Sequence, residues 1–274
     1  MSESSRAAEA FTRLCDIVAT LRAPGGCPWD REQTIDSLKP FVLEETYEVL
    51  DAIDRSDHRS LREELGDFVF EAVLLAQIEF EAGQFAIADS LTDISDKLVR
   101  RHPHVFARAD GEPPIDSAER VRSRWEEIKA GERGDAKAKT LLSGIAPTLP
   151  ALLRAYQIGI RAASVGFDWS QVSQVMDKIQ EEVDELREVV DHPDGMDRAR
   201  AEDEMGDLLF SIAHLSRQLG IEPETALRKA NDKFTRRFTS MEQTIEASGK
   251  AMTDMAIDDL EVEWELAKER VDRQ

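Results

Sequence analysis

Residues 172–190 read VSQVMDKIQEEVDELREVV, and this stretch decides the fold class. Val172, Val175, Met176, Ile179, Val183, Leu186 and Val190 recur at the three- and four-residue intervals of one helix face. Lys178, Glu182 and Glu185 keep the same intervals on a different face. The pattern predicts an amphipathic helix that carries carboxylates beside an apolar stripe. A second helix is predicted over 198–219, burying Leu208, Leu209, Ile212 and Leu215 while Glu204 and Asp207 point elsewhere. A third, over 223–245, has Leu227, Ala230, Phe234, Phe238 and Met241 as its core stripe and Lys229, Lys233 and Arg236 as a basic stripe. Alternating β-branched runs bounded by turns are scarce, so the fold class is all-α.

The acidic pattern occurs twice. Glu44-Glu45-Thr46-Tyr47-Glu48 followed by Glu64-Leu65-Gly66-Asp67 returns about 140 residues later as Glu181-Glu182-Val183-Asp184-Glu185 followed by Glu204-Met205-Gly206-Asp207. Lys97 and Arg101 align with Lys233 and Arg237, and Trp125 aligns with Trp264. Leu61, Leu65, Phe68, Val69, Ala72 and Val73 supply the apolar face in the first half. Small changes of offset follow from loop insertions such as His192-Pro193-Asp194-Gly195. The repeat predicts domains over residues 1–130 and 151–274, joined by a linker over 131–150 that contains Gly131, Gly134, Gly144, Pro147 and Pro150. Gly66 and Gly206 sit inside helices at a cost of about 1 kcal/mol each relative to Ala, which close approach of a neighbouring helix or a ligand offsets.

Bulk properties narrow the partners. The chain has 274 residues, 41% hydrophobic and 33% charged, with a net charge of −21. Such a charge argues against a nucleic-acid-binding surface or an anionic membrane as the main partner. An anionic substrate would need bound cations and a local cluster of Lys and Arg. Two cysteines, Cys15 and Cys27, are too few for a disulfide framework and point to thiols in a reducing cytoplasm. The first residues read as a polar helix rather than a signal peptide, and no apolar run is long enough to cross a bilayer.

Acidic residues on helices are usually solvated surface. Repetition of the whole constellation changes that reading. Each half offers two helices, each able to aim two carboxylates at one point, and like charges that close repel unless a cation lies between them. All-oxygen ligands favour Mg2+, with Mn2+ as substitute. A di-iron bundle would need Glu-x-x-His, and no His stands three residues after Glu48, Glu64, Glu185 or Glu204. Ser248-Gly249-Lys250 is not a P-loop, and nothing arranges Ser, His and Asp as a nucleophilic set. His102-Pro103-His104 reads as a rigid turn with solvent-facing imidazoles.

The paired Glu-Glu-x-x-Glu and Glu-x-x-Asp motifs, the run Lys-x-Asn-x-Lys-Phe-x-Arg-Arg-Phe at 229–238 and the late Trp264 resemble the MazG family. So do Gly26-Cys27-Pro28-Trp29-Asp30, Leu43-Glu44-Glu45-Thr46-Tyr47-Glu48 and Arg100-Arg101-His102-Pro103-His104-Val105-Phe106. These are nucleoside triphosphate pyrophosphohydrolases of the all-α NTP pyrophosphatase superfamily, and the likeness covers nearly the whole chain. It implies tandem helical MazG domains with four-helix-bundle-like cores assembled through dimerisation, and Mg2+-dependent hydrolysis of nucleoside triphosphates, ATP included, to monophosphate and pyrophosphate. The implied metal ligands are Glu182, Glu185, Glu204 and Asp207, with a second, weaker site at Glu45, Glu48, Glu64 and Asp67. Lys178, Lys229, Lys233, Arg236 and Arg237 would hold phosphates, and Trp264 would stack on or border the base. Asn231 enters through the resemblance alone. Glu181 joins Glu182 and Lys178 as a catalytic candidate, either orienting water or supporting the ligands. Trp29 and Trp169, each beside an Asp, sit in matching positions and either cap the nucleotide pocket or pack in a core.

The halves are unequal. Phe41, Asp93 and Ser95 stand in the first half where Lys178, Lys229 and Asn231 stand in the second. Loss of two positive charges and gain of a negative one weaken triphosphate binding, so the second half is the expected main catalyst. Two non-enzymatic alternatives use the same residues: a nucleotide-binding regulator without turnover, and a purely structural helical dimer with acidic faces.

Overall fold

Capping chemistry sets the helix boundaries. The Thr34 hydroxyl accepts from Ser37 N at 3.1 Å and the Ser37 hydroxyl accepts from Thr34 N at 2.9 Å, a reciprocal cap that starts the helix at Ile35. Asp57 and Asp197 do the same work in the two halves, each accepting from two backbone amides of the first turn. The computed structural model describes residues 2–107, 117, 121, 140–193 and 195–272. Trp125, Gly131, Gly134 and Asp194 lie outside the described residues.

Every regular element among the described residues is helical. The first half contains α1 (Glu3–Arg22), α2 (Pro28–Glu32), α3 (Ile35–Asp54), α4 (His58–Glu81), α5 (Ile87–Arg101) and α6 (Pro103–Phe106). The second contains α7 (Ala151–Ala163), α8 (Val172–Val190), α9 (Arg198–Gln218), α10 (Pro223–Ala247) and α11 (Ile257–Asp272), with a 3-10 turn at Met252–Asp254. The chain divides into two compact units, Met1–Ile128 and Lys129–Gln274.

In the first unit α3 packs along α4, and α1 lies against α4. Val18, Leu38, Val73 and Leu74 form the buried centre, with Phe11, Leu14, Phe41 and Phe70 around it. Arg22, at the end of α1, locks this arrangement by a bidentate pair to Glu81 and by donating to the carbonyls of Asp30 and Gln33. In the second unit α8 packs along α9 and α7 lies across α9, while α10 pairs with α11. Val175, Val189 and Ala213 are buried, and Met241, Ile245 and Ala267 form a separate small core.

The apolar stripes depart from expectation. Leu209 and Ile212 on α9 are 45% and 39% exposed, and Leu65, Phe68 and Val69 on α4 are similarly open. On α8, Met176 and Val190 face out while Val189 takes the interior place; of the α10 stripe, Met241 alone is buried. The cause is geometric: α4 and α9 each have more apolar faces than the helices of their own unit can cover. Gly66 and Gly206 also face open space, with nothing within 4 Å of an added Cβ, so close approach of a helix within the unit does not explain them.

Candidate functional site

The second-unit site begins on α8. Val175 and Val189 seat the helix against α9, which turns Glu182 inward until it is only 4% exposed. Lys178, one turn earlier, donates to Glu181 Oε1 at 2.7 Å and to Glu182 Oε1 at 2.8 Å. These hydrogen bonds hold the ammonium above the ordinary lysine range. The second oxygen of Glu182 is buried, and no donor among the described residues reaches it. Glu204 and Asp207 reach across from α9, and one oxygen from each of Glu182, Glu204 and Asp207 lies within 4.8 Å of the others. Glu185 lies outside that trio. It still senses the site: desolvation first, then the charge of Glu182, raises its pKa against the opposing pull of Lys178.

The first-unit site repeats this with different members. Glu45, Glu48 and Glu64 converge within 4.8 Å, while Asp67 stands outside the trio. Burial and the charges of Glu48, Asp67, Glu71 and Glu64 push the Glu45 carboxyl upward, and its Oε2 is buried without a donor among the described residues. Phe41, in the register of Lys178, packs its ring edge-on against Trp29 at 6.5 Å instead of offering a charge.

Lys229, Asn231, Lys233, Arg236 and Arg237 are carried by α10, whose main packing partner is α11. Within the unit they form a second group on a different helix from the carboxylates. Arg237 donates from a single nitrogen, Nη2, to both carboxylate oxygens of Asp272, at 2.6 and 2.8 Å. Trp264 leans on Phe234 with ring centroids 5.0 Å apart and borders the Met241 core. The imidazoles of His102 and His104 are half-buried rather than solvent-facing; His102 Nδ1 lies 2.6 Å from the Leu98 carbonyl at the end of α5.

A polar cluster escaped the sequence reading. Asp168 Oδ1 accepts from Arg217 at 2.5 Å, from Gln218 at 3.3 Å, and lies 3.0 Å from Nε2 of the buried His214. The His214 ring meets Trp169 edge-on at 4.6 Å, so Trp169 is fixed at the rim of an apolar cavity of about 390 Å³. Leu141, Leu142, Ile158, Phe167 and Phe210 complete much of that cavity. Burial pushes Asp168 up, but the three donors outweigh it and its pKa falls below the ordinary value. The available signal was a histidine on α9 seven residues beyond Asp207, on the packed face. Asp168→Ala leaves Arg217 and His214 without their acceptor, and should cost about 2 kcal/mol of stability. A urea midpoint lowered at unchanged slope would register it.

The acidic sites also predict a pH dependence. Glu45, Glu64, Glu71 and Glu185 are all raised above the ordinary 4.5. A carboxyl raised on folding holds its proton more tightly in the folded state. Its stabilising contribution is therefore complete below the unfolded value and lost as pH climbs through the folded one. Asp168 and Asp272, held low, act with the opposite sign below 3.8. In EDTA the thermal midpoint should fall as pH rises above the ordinary carboxylate value, and saturating Mg2+ should remove the fall. A midpoint indifferent to both would contradict a cation role for these clusters.

Comparison with known proteins places the chain. A model of the MazG nucleotide pyrophosphohydrolase domain matches it twice, at residues 33–106 and 170–241. These spans hold α3 with α4 and α8 with α9, the helix pairs that carry the carboxylates. The chain is 46% identical to the nucleoside triphosphate pyrophosphohydrolase of Escherichia coli (strain K12), covering 93% of this chain and 96% of that one. It is 44% identical to the nucleoside triphosphate pyrophosphohydrolase/pyrophosphatase MazG of Thermotoga maritima, covering 94% and 95%. The chain belongs to the MazG family.

Proposed function

We propose that this protein is an enzyme that hydrolyses nucleoside triphosphates, ATP among them, to nucleoside monophosphates and pyrophosphate, working as a homodimer with Mg2+ in the cytoplasm. The observation that carries the reading is the meeting of Glu182, Glu204 and Asp207 within 4.8 Å beside Lys178. The names of the two relatives support it.

The donor set fits a hard divalent cation. Its oxygens are all carboxylate, and the buried Oε2 of Glu182 has no partner among the described residues. Glu182, Glu185, Glu204 and Asp207 would hold the ion, with Mn2+ as a substitute. Once bound, it supplies charge neutralisation for phosphate oxygens and acidifies water. Lys178 keeps its ammonium protonated and offers it to the triphosphate tail. Glu181 accepts from Lys178 through one oxygen and has the other free to take a proton from attacking water. Lys229, Asn231, Lys233, Arg236 and Arg237 on α10 supply further donors to the phosphates, and Trp264 borders the base. In-line attack at a phosphorus flanking the α–β bridge then releases pyrophosphate.

The half-exposed apolar faces of α4 and α9 support the dimer, since a two-fold interface covers the same patch on both copies. Free Cys15 and Cys27 support the cytoplasm. No helix among the described residues is long and apolar enough to cross a membrane. The domain limits 1–130 and 151–274 and the greater activity of the second half belong to the same proposal. The test is pyrophosphate release from the ordinary nucleoside triphosphates with and without Mg2+. Thermal stabilisation by nucleotide without release would instead identify a binding regulator.

A further inference from the structure

The first unit has a carboxylate with no counterpart in the second. Glu71 lies on α4 one turn beyond Asp67, and the corresponding position on α9 is Ser211. Residues 64, 67 and 71 share one helix face, so Glu71 continues the row that Glu64 and Asp67 begin. It is only 7% exposed, although no cation among the described residues pairs with it as Lys178 pairs with Glu182. The acids that converge within 4.8 Å are Glu45, Glu48 and Glu64, and Glu71 stands on the helix face that carries Glu64. The Oε2 atoms of Glu71 and Glu45 are both buried, and no donor among the described residues reaches either.

Such an arrangement is costly by itself. A buried carboxylate needs a partner charge or a full set of donors, at several kcal/mol otherwise. In the second unit Lys178 provides part of that compensation for Glu182. In the first unit Phe41 occupies that register and provides none. The extra acid and the missing ammonium both increase the demand for a cation.

We propose that Glu71 is a fifth carboxylate ligand of a divalent-cation site formed with Glu45, Glu48, Glu64 and Asp67, a site that takes Mg2+ or Mn2+ without nucleotide. This rests on the reading of the acidic clusters as cation sites. Five carboxylates can supply the roughly six oxygens that a hard divalent ion requires. The second site has four, one of them shared with Lys178, so phosphate oxygens complete its shell. The first unit therefore holds a resident ion, and the second recruits its ion together with the substrate.

The test is Mn2+ titration of the full chain followed by electron paramagnetic resonance, with and without a nucleotide non-hydrolysable at the α–β bridge. Without nucleotide, wild-type protein should bind Mn2+, and Glu71→Gln should weaken that binding about tenfold or more. Glu71→Ser, which installs the residue of the second unit, should do the same, while Glu182→Gln should leave it intact. Addition of the nucleotide should create a second class of bound Mn2+ that Glu182→Gln removes and Glu71→Gln keeps. Wild-type Mn2+ binding in both Glu71 variants would overturn the proposal and identify Glu71 as a buried protonated acid. Absence of bound Mn2+ in every protein, even with nucleotide, would overturn the cation reading of both clusters. Far-ultraviolet circular dichroism in EDTA checks that each variant is folded.

Discussion

Glu182→Gln should lower kcat for pyrophosphate release about a thousandfold, while Glu45→Gln should change it less than about threefold. Glutamine keeps the shape of the side chain, so α8 should still pack through Val175 and Val189. What disappears is the anionic donor. A cation at a phosphoryl centre contributes several kcal/mol of transition-state stabilisation, and about 4 kcal/mol corresponds to about three powers of ten. Glu182 is the buried member of its cluster, so the loss cannot be offset by a shift of solvent-exposed chain. Glu45 holds the equivalent place in the first unit, but Phe41, Asp93 and Ser95 replace the residues there that would grip a triphosphate. Its removal should therefore appear in cation binding and thermal midpoint rather than in turnover. Equal losses in the two variants would reject the asymmetry between the halves.

Much of the architecture is legible from residue spacing. The helix expected from the stripe beginning at Val172 runs from Val172 to Val190, and Glu182 on it lies within 4.8 Å of Glu204 and Asp207 on α9, while Glu185 stays outside that trio. Periodicity reports which residues lie on one face, and these features are local. It does not report how many faces are covered. Leu209 and Ile212 carry the right spacing and stay exposed because no described helix of the same unit lies over them, and Phe234 stays exposed although Trp264 leans on its ring. Partners remote in sequence leave no periodic trace either. Asp168 and His214 are 46 residues apart, and Arg237 meets Asp272 across 35, so neither pair is visible before the helices are placed. Glu71 stays hidden for the opposite reason. It interrupts the apolar run of α4, where a polar residue ordinarily marks the solvent side, and only its 7% exposure identifies it as interior.

Lys178→Met should produce the second large effect, a fall of about a hundredfold in kcat/KM, with a stability deficit of about 3 kcal/mol in EDTA. Both follow from one ammonium serving two acceptors. Its Nζ lies 2.7 Å from Glu181 and 2.8 Å from Glu182, and it is 32% exposed against 5% for the Glu182 side chain. Removing one partner of such a pair leaves the other charge stranded, which costs about 3–5 kcal/mol in a buried setting; partial exposure of the lysine argues for the lower end. Loss of a charge-assisted hydrogen bond to a developing phosphate charge accounts for about a hundredfold in rate. Mg2+ should restore the stability, because an ion beside Glu182 replaces the missing charge, but it should not restore kcat/KM. The hydrogen bonds to Glu181 and Glu182 raise the lysine above its ordinary 10.5. A cation raised on folding contributes stability that is complete below the unfolded value and lost only as pH climbs through the folded one. Both deficits should therefore stay constant from about pH 7 to about pH 9, and a deficit in kcat/KM that titrates inside that window would assign the effect to another group.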